Sequence, residues 1–213
     1  MKNPLQIKIC GLTRKEDVAL ASSLGADFLG FIVYPQSPRG LSLDRAVELA
    51  AEISPEKRVI VDVEPTLEDL ERYRDAGFAA FQLHARGDIR MSTLEAWSGV
   101  VGRERLWFAP RMKPGEQFDG AQLNCTDTIL VDSYSGSQVG GTGKTGDWVR
   151  FRALREAYPQ VRWILAGGLS SNNIEEALEA TGSYLVDINS GIESAPGIKD
   201  DARMQALFRI LRP

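Results

Sequence analysis

Histidine is nearly missing from this sequence: one, His84, stands among 213 residues. With no clustered Cys/His spacing, a nitrogen- and sulfur-ligated metal site is not expected. Cysteine is scarce too. Cys10 and Cys125 are the two present, which suits a reduced compartment better than a disulfide scaffold. No apolar run nears bilayer length; the stretch FLGFIV at 28–33 is among the longest, so no membrane partner is expected. The opening MKNPLQIKIC has neither a long apolar core nor a cleavage signal, and a cytoplasmic protein is expected. Positive charge is not in excess. The net charge of −4 offers no basic surface for nucleic acid.

What is present is alternation. Short apolar runs at 7–10, 28–33, 58–63, 78–83, 105–110, 128–132, 162–167 and 184–189 are separated by longer amphipathic stretches. Most of these runs are apolar at consecutive positions, as in parallel strands covered on both faces. Helical patterns occupy 15–24, 43–53, 67–76, 147–158, 173–180 and 200–211, bracketed by Thr13, Ser42, Thr66, Gly25, Gly77 and Pro159 as start and stop signals. A weaker pattern covers 93–100, and GEQFDGAQLN at 115–124 has little periodicity. Strands recur roughly every 25 residues, the rhythm of βα units. Eight such units predict a single-domain (β/α)8 TIM barrel over 1–213, with 43% hydrophobic residues to fill one core. An open doubly wound sheet fits less well, because ICGLTRKE after the first strand lacks G-x-G-x-x-G.

In a barrel, chemistry gathers on the loops past the C-terminal strand ends. Those places here hold Cys10-Gly11, Arg39, His84, Asp132, Gly167-Gly168 and Asp187 followed by Asn189-Ser190-Gly191. The stretch GSQVGGTGKT at 136–145 looks like a P-loop, but the first required glycine falls on Gln138. It reads instead as the wall of a sugar-phosphate site. Glycines let backbone N–H groups approach an anion, and the loops after strands seven and eight are the usual phosphate corner of a barrel.

The segments KICGLT, GADFLGFIVYPQSPR, QLH, LVDS, GGTGKTGDW, AGGL and DINSGIESAPGIKD, in that order, resemble the phosphoribosylanthranilate isomerases of tryptophan biosynthesis. The resemblance runs from Lys8 to about Asp200. It implies a cofactor-free Amadori rearrangement of N-(5-phosphoribosyl)anthranilate to the 1-deoxyribulose 5-phosphate. It places the general base on Cys10 and the general acid on Asp132. Arg39 falls where the family holds the anthranilate carboxylate. His84 and Asp187 fall on sugar contacts, and Gly141, Gly143, Gly167, Gly168, Ser190 and Gly191 on phosphate contacts. The implied partner is a small sugar phosphate, bound by a monomer or a homodimer.

The chemistry suits these groups. An acid must open the furanose, which asks for a carboxyl with a raised pKa. A base must then take the C2′ proton of the Schiff base, and a thiolate near a cation can do so. Lys8 is two residues from Cys10 and shares its face of the strand. Taken singly, the residues have plainer readings: Cys10 as a small buried hydrophobe, Asp132 as a turn former, Arg39 as a solvated charge, His84 as a structural side chain. Their concentration at one end of eight strands favours function.

Two departures from the family pattern stand out. The third strand ends VDVEPT where an apolar residue and Gly-Val-Phe are expected, so Asp62 and Glu64 are unusual, and Ala85 replaces a glycine after QLH. Both bear on the wall near His84. Indoleglycerol-phosphate synthase would need a longer N-terminus and a catalytic lysine; ribulose-phosphate epimerase would need several histidines. A barrel that only binds a phosphorylated ligand has no need of Cys10, Asp132 and Arg39 together.

Overall fold

The computed structural model describes residues 4–86, 88–112, 115–132 and 147–212. Eight parallel strands close into a barrel: β1 (Gln6–Ile9), β2 (Phe28–Ile32), β3 (Arg58–Val63), β4 (Ala80–Arg86), β5 (Leu106–Arg111), β6 (Thr128–Asp132), β7 (Arg162–Ala166) and β8 (Leu185–Ile188). Each pairs with the next in sequence. β8 then returns to β1, with Lys8 level with Asp187 and Ile9 level with Ile188. The expected TIM barrel is therefore the observed one.

Seven helices wrap the strands: α1 (Lys15–Ser23), α2 (Leu43–Ala50), α3 (Leu67–Asp75), α4 (Met91–Val101), α5 (Trp148–Ala157), α6 (Ile174–Thr181) and α7 (Asp201–Leu211). Ser42 Oγ accepts from the Arg45 N–H, and Thr66 with Asp69 forms a capping box, as their positions predict. Thr13 does not cap α1. Its hydroxyl instead donates to the Gly197 carbonyl at 2.5 Å, tying the start of the chain to its end. The aperiodic stretch before β6 is the one connector without an α-helix; a 3-10 helix (Gly120–Asn124) fills the place. Among the described residues no helix is long and apolar enough to cross a membrane.

Two apolar layers hold this arrangement. Outward strand residues such as Ile9, Phe31, Phe81, Leu83 and Phe108 pack under the helices. Inward residues form a second cluster that includes Val59, Val61, Ala80, Ala109, Leu130, Ile164 and Ala166. The floor of the barrel is aromatic. Phe28 and Trp107 meet edge-on at 5.0 Å, and the Arg162 guanidinium lies 5.1 Å from each ring. Above the floor many of the inward side chains are small. That leaves volume for two long polar ones, Lys8 and Gln82, both fully or almost fully buried.

The departure in β3 has a local explanation. Asp62 lies on the outer face, level with Leu83. Its carboxylate accepts from Tyr73 Oη of α3 at 2.7 Å and from the Val63 N–H at 2.7 Å. A tyrosine on the facing helix satisfies the acid, so the substitution leaves the barrel interior untouched.

Candidate active site

All eight strands are parallel, so their C-terminal ends share one mouth. β1 delivers Cys10 there, β6 Asp132 and β8 Asp187. Cys10 belongs to the inward cluster and is buried, whereas Asp132 is exposed to the opening. Asp187 connects them. Its charge helps to raise the pKa of both the Cys10 thiol and the Asp132 carboxyl. Burial is the larger cause in each case. Although Asp132 touches solvent, the crowded strand ends around it thin that solvent enough to disfavour its ionised form. Lys8 and Lys199 pull the Cys10 pKa down without overcoming burial, and Arg111 does the same at Asp132.

His84 lies within β4, two residues from its end, because the strand begins later and runs further than its apolar pattern suggests. Burial, then the nearby Lys8 charge, lowers its pKa to about 4, so the ring is neutral at physiological pH. Its Nε2 stands 3.0 Å from Gln82 Nε2; with the amide nitrogen donating, the ring proton resides on Nδ1.

Arg39 sits in the loop after β2. Its Nε and Nη2 pair with Glu193 at 2.8 and 2.5 Å, which fixes the plane of the guanidinium; Nη1 has no described partner. Glu193 opens a small hairpin, β9 (Glu193–Ala195) and β10 (Ile198–Lys199). Lys199 braces it from beneath: Nζ donates to Glu193 Oε1 at 2.9 Å and to Asn189 Oδ1 at 2.8 Å. Asp17 of α1 receives the Lys199 N–H at 3.2 Å. The SGIE and PGIKD segments thus form one ionic brace that aims Arg39.

The glycine corner is tight. A Cβ on Gly191 would stand 2.0 Å from the Leu169 carbonyl oxygen, so the β7 and β8 loops touch backbone to backbone there. Gly167 and Gly168 adopt φ of 95° and 62°, a turn open to glycine and strained for other residues. Ser190 begins a one-turn 3-10 helix beside them. Gly141 and Gly143 lie outside the described residues. Among the described residues no group of three His, Cys, Asp or Glu is placed to hold a metal ion.

Sequence reasoning overlooked Arg111. β5 extends one residue beyond its apolar run, and alternation from the inward Ala109 turns Arg111 toward the mouth. Continuing the Trp107–Thr128 register sets it level with Asp132. The signal was there in the two-residue step; the preceding Pro110 disguised it as a strand terminator. Glu193 and Lys199 were visible only as parts of a motif, since their value lies in pairing with Arg39 and Asn189.

The family model described as N-(5'phosphoribosyl)anthranilate (PRA) isomerase matches residues 7–209. This chain belongs to the phosphoribosylanthranilate isomerase family. Curated relatives agree. The N-(5'-phosphoribosyl)anthranilate isomerase of Synechococcus elongatus is 36% identical, covering 97% of this chain and 96% of its own length. That of Syntrophus aciditrophicus is 38% identical over 97% of this chain and 87% of its own. Among solved structures, the isomerase from Thermotoga maritima superposes with a TM-score of 0.80 at 28% identity, over 98% of both chains. A second isomerase structure holds reduced 1-(o-carboxyphenylamino)-1-deoxyribulose 5-phosphate; it gives a TM-score of 0.74 at 25% identity over 96% of this chain and 97% of that one. In this chain of the phosphoribosylanthranilate isomerase family, the brace on Arg39 and the touching β7 and β8 loops lie at the C-terminal mouth of the barrel.

Proposed function

We infer that this chain converts N-(5-phosphoribosyl)anthranilate into 1-(2-carboxyphenylamino)-1-deoxyribulose 5-phosphate, a step of tryptophan biosynthesis, by acid–base catalysis. One observation carries the reading at residue level: a thiol and a carboxyl open onto one mouth, both within the field of Asp187, in a chain of this family. Asp132 is the acid. It protonates the ring oxygen, the furanose opens, and a Schiff base forms at C1′. Cys10 is the base. It takes the C2′ proton, and the resulting enolamine tautomerises to the ketone. One turnover moves a proton from Asp132 to Cys10, and solvent at the mouth returns it.

The remaining residues hold the substrate. Arg39 offers Nη1, the nitrogen that Glu193 does not use, to the anthranilate carboxylate. His84 and Asp187 face the sugar. The phosphate rests on Gly167, Gly168, Ser190 and Gly191, where two loops present backbone N–H groups. The chain acts as a monomer or a homodimer. Its two free, buried thiols suit the reducing cytoplasm.

Loss of substrate fluorescence reports the reaction. Wild-type protein is expected to turn over, and Cys10→Ala and Asp132→Asn to lower kcat by roughly 10²–10⁴ with smaller changes in KM. No turnover by wild type rejects the isomerase reading. Undiminished kcat in either variant removes that residue from its role.

A further inference from the structure

Lys8 has no exposed surface at all, yet it carries a charge. Sealing an ammonium inside a barrel is costly unless its protons are used. One goes to Asp187 Oδ1 at 2.9 Å, the single hydrogen bond that Lys8 Nζ makes to an oxygen among the described residues. Cys10 lies close to the same ammonium. A Cβ on residue 30 would lie 2.9 Å from Lys8 Nζ and 3.1 Å from Cys10 Sγ. Both atoms therefore crowd one point, and their separation cannot exceed the sum of those distances. The Lys8 charge favours the ionised thiol.

We propose that Lys8, locked in place by Asp187, is the positioning residue that supports Cys10 as a thiolate, and that residue 30 is glycine because the two side chains meet where its Cβ would stand. This rests on Cys10 being the base of the reaction proposed above. Lys8 keeps its proton throughout and acts through the sulfur.

The surrounding charges explain why a cation is needed there. Asp187 faces Cys10 from β8 and opposes a second anion. Lys199 from β10 and Arg39 from the loop after β2 face it with favourable sign. His84 from β4 is neutral and faces Lys8. Without Lys8, the largest charge effect left at the sulfur would be the unfavourable one of Asp187. With it, an ammonium lies close to both the carboxylate and the sulfur and attracts each anion. Burial works against the ammonium itself, but Asp187 and Cys10 outweigh it and keep its pKa above the ordinary lysine value.

The test is the ultraviolet absorbance of the thiolate, titrated in a Cys125→Ser background so that Cys10 alone reports. In Lys8→Met the midpoint is expected to move to higher pH, so that at fixed pH the thiolate fraction falls at least ~10-fold, one unit of pKa. kcat/KM falls by the same factor while KM holds, and Lys8→Arg recovers part of the loss. Should Lys8→Met fail to fold with Asp187 unpaired, Asp187→Asn is compared with the Lys8→Met/Asp187→Asn pair, and the midpoint of the pair is expected to be the higher. An unmoved or lowered midpoint in a folded variant overturns the proposal. A raised midpoint with unchanged turnover leaves Lys8 as the support of Cys10 and rejects Cys10 as the base, so the two readings fail separately.

Discussion

Arg39 grips Glu193 with two nitrogens, and Lys199 reaches the same carboxylate from the other side at 2.9 Å. Burial resists ionisation of Glu193, but the two cations outweigh it and hold its pKa below the ordinary glutamate value. Glu193→Gln leaves both cations on a neutral amide. Removing one partner of a buried pair costs about 3–5 kcal/mol. The native pKa is the lower one, so this stabilisation is complete above the ordinary glutamate range and drains away as pH falls through the native value. Denaturant unfolding is therefore expected to show a wide gap between wild type and variant at neutral pH, narrowing in acid. Arg39 also loses its fixed plane, and KM is expected to rise about tenfold with kcat less affected.

Gly191 makes the second prediction. Any side chain there meets the Leu169 carbonyl, and neither partner is a flexible side-chain tip. Gly191→Ala must push the β7 and β8 loops apart. The cost in stability is roughly 1–3 kcal/mol, as for overpacking elsewhere. In the proposed reading the separated loops also no longer converge on one phosphate. Inhibition by inorganic phosphate is expected to weaken at least about tenfold, which corresponds to about 1.4 kcal/mol. Retained phosphate inhibition would place the anion elsewhere.

Asp62 and Tyr73 give a prediction confined to stability. Tyr73→Phe leaves a buried carboxylate oxygen without its donor, at a cost of about 1–3 kcal/mol. Burial is the main reason the Asp62 pKa is raised, with Tyr73 and the Val63 N–H opposing it. The folded chain thus keeps this proton to higher pH than the unfolded chain. Stability falls as pH climbs from the ordinary aspartate value through the raised one. Asp62→Asn still accepts from Tyr73 and lacks that slope, so its stability relative to wild type is expected to improve from acid to neutral pH. Turnover at saturating substrate should hold in both variants, since the pair faces α3 and not the mouth.

The barrel was legible because its signals are local. Consecutive apolar runs, Ser42 and Thr66 at helix starts, and Pro159 beyond a helix end each act within a few residues. The strand ends were less legible. β4 and β5 run past their apolar segments because pairing with neighbours, not side-chain character, decides where a strand stops, and so His84 and Arg111 lie inside strands. The acid and the base could be named from position alone. Their tuning could not, because it depends on residues far away in sequence: Lys8 with Asp187, Arg39 with Glu193. Asp62 looked like damage to the family pattern until Tyr73 came into contact with it.

The last prediction concerns which group owns which limb of the pH profile. The proposed reaction asks Asp132 for a proton and Cys10 for a lone pair. The working state, protonated Asp132 with thiolate Cys10, is a tautomer of ionised Asp132 with neutral thiol. Both carry the same charge, so pH does not change their ratio. kcat/KM is then flat between the two pKa values. Its acid limb belongs to Asp132, raised above 3.8, and its alkaline limb to Cys10, raised above 9.0. Asp132→Asn has no proton to give, and its residual turnover needs only the thiolate. At neutral pH it is expected to fall by roughly 10²–10⁴, with the break at the Asp132 pKa gone and the remainder climbing about tenfold per pH unit until Cys10 titrates. Arg111→Gln tests the assignment from the other side. Losing that cation raises the Asp132 pKa, so the acid limb of this variant moves to higher pH while the Asp132→Asn profile has no such limb to move. A break at the wild-type acid pKa that survives in Asp132→Asn would belong to another group, and Asp132 would lose its place as the acid.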